Sequence, residues 1–203
     1  MPPIYHITHI NNLAGIIQQG GLHCDRTAQN MKAMNIGHTH IKARRLNRVV
    51  PVGPGGTVGD YVPFYFAPKS PMLFAISRGN VAGYTAGQQP VIYLCSSTEA
   101  VDATGLRWVF TEGHADMQYT DFFDDFQDLD KIDWNLMKAK YWNAIPDDPD
   151  RSRRRQAEFL VRDFFPWQLV HQIAVYGNAT AAAVAQILAG NPPPVVIQQG
   201  WYY

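Results

Sequence analysis

The residue with the clearest chemical consequence is a glutamate set in an apolar strand. Ala157 to Val161, AEFLV, reads as a strand, with Glu158 pointing opposite Phe159 and to the same side as Leu160. A carboxylate there must find partners or a cavity, unless it lies on an edge that faces solvent. Cations come in two groups: Lys42, Arg44, Arg45 and Arg48, and then Arg151, Arg153, Arg154 and Arg155. On a short helix over Ile41 to Arg48, Arg44 and Arg48 share a face and Arg45 points elsewhere. Such a basic run is either a binding surface or a solvated face. His6 and His9 are three apart on the strand Ile4 to His9, so they point to opposite faces and do not chelate one metal together.

Several elements must position these groups. In IYHITH, Ile4, His6 and Thr8 lie on one face. Asn11 or Asn12 then caps a helix with Leu13, Ile16 and Ile17 at helical spacing, stopped by Gly20-Gly21. The run Val62 to Ala67 is a central aromatic and β-branched strand, and Ser70-Pro71 is an N-cap and first-turn pair for a helix carrying Met72, Leu73, Phe74 and Ile76 inward. A strand that delivers a polar turn to a helix N-terminus is either a ligand floor or an ordinary core strand with a proline-marked exit. Further strands are expected at Pro90 to Cys95, Arg107 to Phe110 and Ile173 to Tyr176. Helices are expected at Leu129 to Trp142 and Thr180 to Ala189, while Pro192 to Ile197 and Trp201-Tyr202-Tyr203 should finish the sheet. Met31, Met34 and Ile36 show some helical periodicity, Arg151 to Gln156 reads as a polar lead into the glutamate strand, and the aromatics of Thr111 to Phe126 suit core better than base stacking.

Length and composition narrow the classes. The 203 residues suffice for one sizeable core, a single domain over 1–203. No apolar run approaches the roughly 20 residues that span a bilayer, and Met1-Pro2-Pro3 begins nothing like a signal peptide, so a cytoplasmic protein is expected. Cys24 and Cys95 are far apart and read as reduced core residues. Lys and Arg total 17, as do Asp and Glu, but seven aspartates lie between Asp116 and Asp133 against Lys131 alone. Segregation of this kind leaves local basic surface on a neutral chain. The glycines of Val52 to Gly56 precede no Lys-Ser/Thr pair and are read as chain reversal rather than a phosphate loop.

Three separated segments resemble the ADP-ribosyltransferase superfamily, in its poly(ADP-ribose) polymerase-like branch. They are His6, Asn12, Gly15-Ile16 and Gly21-Leu22; then Tyr65-Phe66-Ala67 followed by Ser70; then Glu158-Phe159-Leu160-Val161-Arg162-Asp163. Across essentially the whole length, IYHITHINNL, ARRLNR, DYVPFYFAPKSPML, Trp108-Val109-Phe110 and the final WYY resemble the DNA ADP-ribosyltransferase toxin family, DarT. The resemblance implies an α+β fold with central mixed β-sheets flanked by helices. It implies transfer of ADP-ribose from NAD, as co-substrate and without metal, to thymine in single-stranded DNA, with a macrodomain antitoxin that removes the mark.

On the same resemblance Glu158 and Arg45 carry the chemistry, with Arg44 and Arg48 as neighbouring candidates for the arginine's place. His6, Thr8, Asn12, Tyr65 and Ser70 would hold NAD. Arg44, Arg48, Arg153 and Arg154 would meet nucleic acid. The chain departs from the polymerase branch at Ile7, where that branch has glycine, and at Met72, Leu73 and Phe74, where a stacking tyrosine is expected. Other readings are an ADP-ribosyltransferase acting on protein, an RNA 2′-phosphate transferase, and a non-catalytic nucleic-acid-binding module in which Glu158 is structural.

Overall fold

The computed structural model describes residues 1–31 and 33–203. Its strands are β1 Pro3–His9, β2 Gly21–His23, β3 Tyr61–Tyr65, β4 Val91–Ser97, β5 Trp108–Thr111, β6 Phe122–Phe123, β7 Glu158–Arg162, β8 Phe164–Pro166, β9 Gln172–Val175 and β10 Val195–Ile197. The helices are α1 Leu13–Gln18, α2 Asp25–Ala28, α3 Thr39–Arg45, α4 Pro71–Ser77, α5 Thr98–Asp102, α6 Trp134–Lys138, α7 Arg151–Arg154 and α8 Asn178–Leu188. Eight strands form one sheet in the order β10-β9-β4-β1-β3-β7-β5-β6, and β2 pairs with β8 in a small second sheet. The large sheet is mixed, because β10 runs parallel to β9 while the other pairs are antiparallel.

Alternation along the strands divides the core. Ile4, Val62, Phe64, Ile92, Leu94, Phe159 and Val161 pack with Leu13 of α1 and with Val184 and Leu188 of α8. The opposite face carries Ile7, Tyr93, Cys95 and Ala174 against Leu73 and Ile76 of α4 and against Tyr202. Ser70 caps α4 as the sequence indicates, its Oγ accepting from the Leu73 amide at 3.2 Å.

The sheet is interrupted at one place. β1 pairs with β4 over seven consecutive residues but with β3 only at Tyr5↔Tyr65. Beyond that pair the two strands part, and the Nδ1 of His6 reaches the Pro63 carbonyl at 2.8 Å across the gap. The nitrogen and carbonyl of one strand residue point to the same side, so the missing N–H of Pro63 also faces the gap. A proline is tolerated there in an otherwise interior strand because no ladder bond is lost.

Four expectations are corrected. Leu129 to Trp142 is not one helix: a 3₁₀ segment over Phe126–Lys131 gives way at Ile132, and Asp133 caps a new start for α6 by accepting from the Leu136 amide at 2.9 Å. Arg151–Arg154 is a short helix rather than a polar lead. The WYY end forms no strand; a 3₁₀ turn over Gln199–Trp201 lays Tyr202 on the sheet, its hydroxyl donating to the Val91 carbonyl at 2.9 Å. Residues 33–38 form no helix despite the spacing of Met34 and Ile36. The aromatics of 111–126 are largely core: Phe122 is buried, Phe123 stacks on Phe110 and Phe126 on Trp108, and only Tyr119 stands in solvent.

Candidate active site

Tyr65 on β3 is paired in register with Glu158 on β7, so both side chains emerge on one face at the mouth of the β1/β3 gap. His6 and Thr8 emerge on the other face of the sheet, beside Ile4. Because the sheet is split there, residues from both faces line one cavity of about 580 Å³, closed further by α2, α3, residues 31 and 33–38 and the start of α4. That volume is in the range of pockets that enclose a small-molecule ligand.

Glu158 is 3 % exposed. Its two oxygens accept from Nη1 of Arg45 at 3.1 and 2.9 Å, and Oε1 also accepts from the Ala115 amide at 3.0 Å. The edge reading of this strand is therefore corrected, since β7 lies between β3 and β5 and the carboxylate is buried and paired. Arg45, 6 % exposed, closes α3 and also lies 3.4 Å from Asp25 through Nε. Burial opposes the Arg45 charge, but Glu158 and Asp25 outweigh it and raise its pKa above the ordinary value. Its Nη2 has no protein partner although it is buried, so the arginine carries a donor to spare beside the cavity.

Backbone packing aims this arginine. The end of α3 sits on the turn Val58–Asp60, where a Cβ at Gly59 would lie 2.9 Å from the Leu46 Cα. Glycine is required because backbone approaches backbone, not because its φ is unusual. Gly59→Ala should shift the end of α3 and lower turnover several-fold; a wild-type rate with wild-type melting temperature would show that α3 tolerates the displacement.

The basic group divides as its helical spacing requires. Arg44 and Arg48 reach one loop, Arg44 pairing with Asp116 through Nε at 2.7 Å and Arg48 donating to the Gln118 and Thr120 carbonyls at 3.1 and 3.4 Å, while Arg45 turns inward. Arg153 braces the same loop by donating to Glu112 at 2.6 and 2.7 Å, and it also holds Asp150 at 2.8 and 2.6 Å. Arg154 is held by Asp148 and Asp133 at 2.6 and 3.2 Å. The arginines expected at nucleic acid are thus engaged within the protein, three of them clamping the loop that presents Ala115 to Glu158. Arg44 keeps 56 % of its side chain in solvent.

The expected NAD contacts also sort themselves. His6, Thr8, Asn12 and Tyr65 line the cavity, but Ser70 does not; it is 1 % exposed and spent as a helix cap. Asn12 works as a clasp. Its amide nitrogen donates to Thr8 Oγ1 at 3.0 Å and to the Met34 carbonyl at 2.9 Å, and its oxygen accepts from the Met34 amide at 2.7 Å. Asn12→Ala should free Met34 from the cavity rim and raise KM for the dinucleotide by about tenfold, on the scale of one or two lost hydrogen bonds; an unchanged KM would refute the clasp. Burial holds the Tyr65 hydroxyl, with Glu158 adding to it, far above its usual pKa, so it is a neutral donor.

His114 is the residue that sequence reading missed. It lines the cavity from the braced loop, and its Nδ1 accepts from the Asp116 amide at 3.2 Å, which leaves the proton of the neutral ring on Nε2. Its place among acids and aromatics gave no periodic signal. Burial lowers the pKa of His114, and burial likewise lowers that of His6. An unfolded chain takes up protons near pH 6.5 that these two rings refuse when folded. The melting temperature should therefore fall between pH 7.5 and 5.5, before most carboxylates titrate, and His114→Asn should flatten that slope; an equal slope in the variant would exclude His114 as its source.

A split sheet with a paired strand glutamate and a cavity running through the split is the arrangement that the resemblance to ADP-ribosyltransferases implies. Residues 5–203 match the model of the family described as ssDNA thymidine ADP-ribosyltransferase, DarT, and the chain belongs to that family. It is 44 % identical over 204 residues to a DNA ADP-ribosyl transferase of Thermus aquaticus, covering 98 % of this chain and 88 % of the relative. Among solved structures it resembles a Thermus sp. 2.9 DarT in complex with ADP-ribosylated ssDNA, with TM-score 0.93 and 42 % identity, covering 100 % of this chain and 96 % of the other. It also resembles the same protein in complex with NAD+, with TM-score 0.88 and 39 % identity, covering 100 % and 98 %. Among the described residues no group of three metal-ligating side chains converges, and no helix is long and apolar enough to cross a membrane.

Proposed function

We propose that this chain, acting as one domain over residues 1–203, transfers ADP-ribose from NAD to thymine in single-stranded DNA, with Glu158 and Arg45 as the catalytic pair. The observation that carries the assignment of roles is the buried contact between them at 2.9 Å on the wall of the 580 Å³ cavity. Cleavage of the bond from ribose C1′ to the nicotinamide nitrogen sends the electron pair to nicotinamide and leaves positive charge on the ribose. Glu158 stabilises that charge and holds a ribose hydroxyl. Thymine N3 forms the new bond to C1′, and its proton goes to the Glu158 carboxylate. Arg45 fixes the carboxylate and offers its spare donor to the pyrophosphate or the acceptor base. His6 and Thr8 hold the dinucleotide from β1, Tyr65 donates from β3, and Asn12 acts through the clasp on Met34.

The wider setting follows from the family resemblance: a toxin whose mark a macrodomain antitoxin removes, working in the cytoplasm where NAD and replicating DNA meet. A base edge that is paired in a duplex is hidden, so the acceptor must start unpaired or be extruded. Incubation with labelled NAD and oligonucleotides that differ at one position should label thymine, and a single strand should be modified at least tenfold faster than the same sequence in duplex. Label on guanine of the single strand, or on RNA or protein while single-stranded DNA stays clean, would refute the acceptor.

A further inference from the structure

Arg48, Arg153 and Arg154 make contacts within the protein and Arg44, though its side chain is 56 % exposed, pairs with Asp116, whereas a second group of cations has no carboxylate partner among the described residues. Lys69, Lys138 and Lys140 line one cleft with Arg155, Pro68, Met137, Ala139 and Gly200, about 510 Å³ in volume. None of the three lysines is in an ion pair among the described residues. Arg155, 4 % exposed, has no carboxylate either. Its Nη1 donates to the Leu136 and Met137 carbonyls at 2.5 and 2.7 Å and its Nη2 to the Pro68 carbonyl at 2.6 Å, so it ties the two walls of the cleft together. A buried cation bonded only to neutral carbonyls keeps its charge uncompensated, and that charge adds to the three lysines.

Aromatic surface surrounds this charge. Lys69 Nζ stands 5.5 Å from the ring centre of Tyr203 and Lys140 Nζ 5.3 Å from that of Tyr141, a residue 71 % exposed. Free cations beside exposed aromatic rings are what a single strand requires, phosphates meeting the first and unstacked bases the second. The position also fits. Arg155 is three residues before Glu158, and Pro68 three after Tyr65, its partner in register, and three extended residues span at most about 11 Å. Residues of the cleft are thus near neighbours in sequence of residues of the cavity wall: Pro68 and Lys69 line the cleft and Pro71 and Met72 the cavity, Arg155 the cleft and Gln156 the cavity.

We infer that the cleft of Lys69, Lys138, Lys140 and Arg155 binds phosphates of the acceptor single strand next to the target nucleotide, with Tyr141 as a stacking surface for a flanking base. The inference rests on the acceptor being single-stranded DNA. Its test is titration of a fluorescent thymine-containing oligonucleotide against the full chain at several salt concentrations, with Lys69→Ala/Lys138→Ala/Lys140→Ala, the matching triple Lys→Arg variant, and Tyr141→Ala. Every phosphate of a single strand that a variant no longer neutralises lowers the salt slope by about 0.7, so the triple alanine variant should lose about 2 from the slope and at least tenfold in affinity at 0.1 M salt. The triple arginine variant should restore both. Tyr141→Ala should weaken binding several-fold with the slope unchanged. Wild-type affinity and slope in the triple alanine variant would overturn the site while leaving the transferase reading intact, whereas a wild-type protein that modifies no single-stranded DNA would overturn that reading itself. A triple alanine variant that binds an RNA of the same sequence more weakly but keeps its affinity for the DNA would also overturn the site.

Discussion

Glu158→Gln should lose transfer by about 10²-fold or more, about 3 kcal/mol of barrier, while NAD affinity stays close to wild type. The size follows from what the carboxylate meets. In the ground state its oxygens accept from Arg45 Nη1 and the Ala115 amide, and a glutamine oxygen retains part of that. Only as the glycosidic bond breaks does positive charge grow on the ribose, and a neutral amide gives little against it. The thymine proton also loses its acceptor. Single-turnover kinetics with labelled NAD, alongside calorimetric NAD binding, separates the two effects. Near-normal turnover in the Gln variant would defeat the assignment, and a matching loss of NAD affinity would move the role of Glu158 from the transition state to substrate binding.

Arg45→Ala should be costly in a different way, with lost activity joined by a loss of stability of about 3–5 kcal/mol. Removing the guanidinium leaves Glu158, 3 % exposed, with a single amide donor and a cavity where its counter-ion stood. The converse change is milder, since Glu158→Gln leaves Arg45 within 3.4 Å of Asp25. The asymmetry is itself testable by denaturant unfolding of both single variants and the double. The double variant should be more stable than the sum of the two losses predicts, because the second substitution removes the charge that the first left unpaired. Additive losses would mean the pair is not coupled. Arg45→Lys keeps the charge but not the planar fork, so it should recover more stability than activity.

Much of this protein is written locally. The alternation of Ile4 to His9 puts His6 and Thr8 on one face, Ser70-Pro71 starts α4, and the i, i+4 spacing of Arg44 and Arg48 sends them to one loop while Arg45 turns away. Such features depend on backbone period and capping, which neighbours in sequence determine. Failures fell where local cues compete. The apolar pattern of Leu129 to Trp142 suits one helix, yet Asp133 caps a restart, and the basic run at 151–155 carried no sign of its acids in advance. Three separated segments were enough for the family and the strand glutamate, because a motif's order and residue types survive without coordinates.

Tertiary structure alone decided what those residues meet. The pairing of Arg45 with Glu158 spans 113 positions, and no period relates residues so far apart. The split between β1 and β3 arises because the strands share one register pair before parting, so His6 and Glu158 reach a common cavity from opposite faces of the sheet. Charge behaved the same way. The sequence counts arginines and aspartates but not their pairing, and folding spent Arg153 and Arg154 on carboxylates while leaving Lys69, Lys138 and Lys140 without them. An ion pair forms through space between side chains that distant backbone brings together, so which cations remain free is a property of the fold.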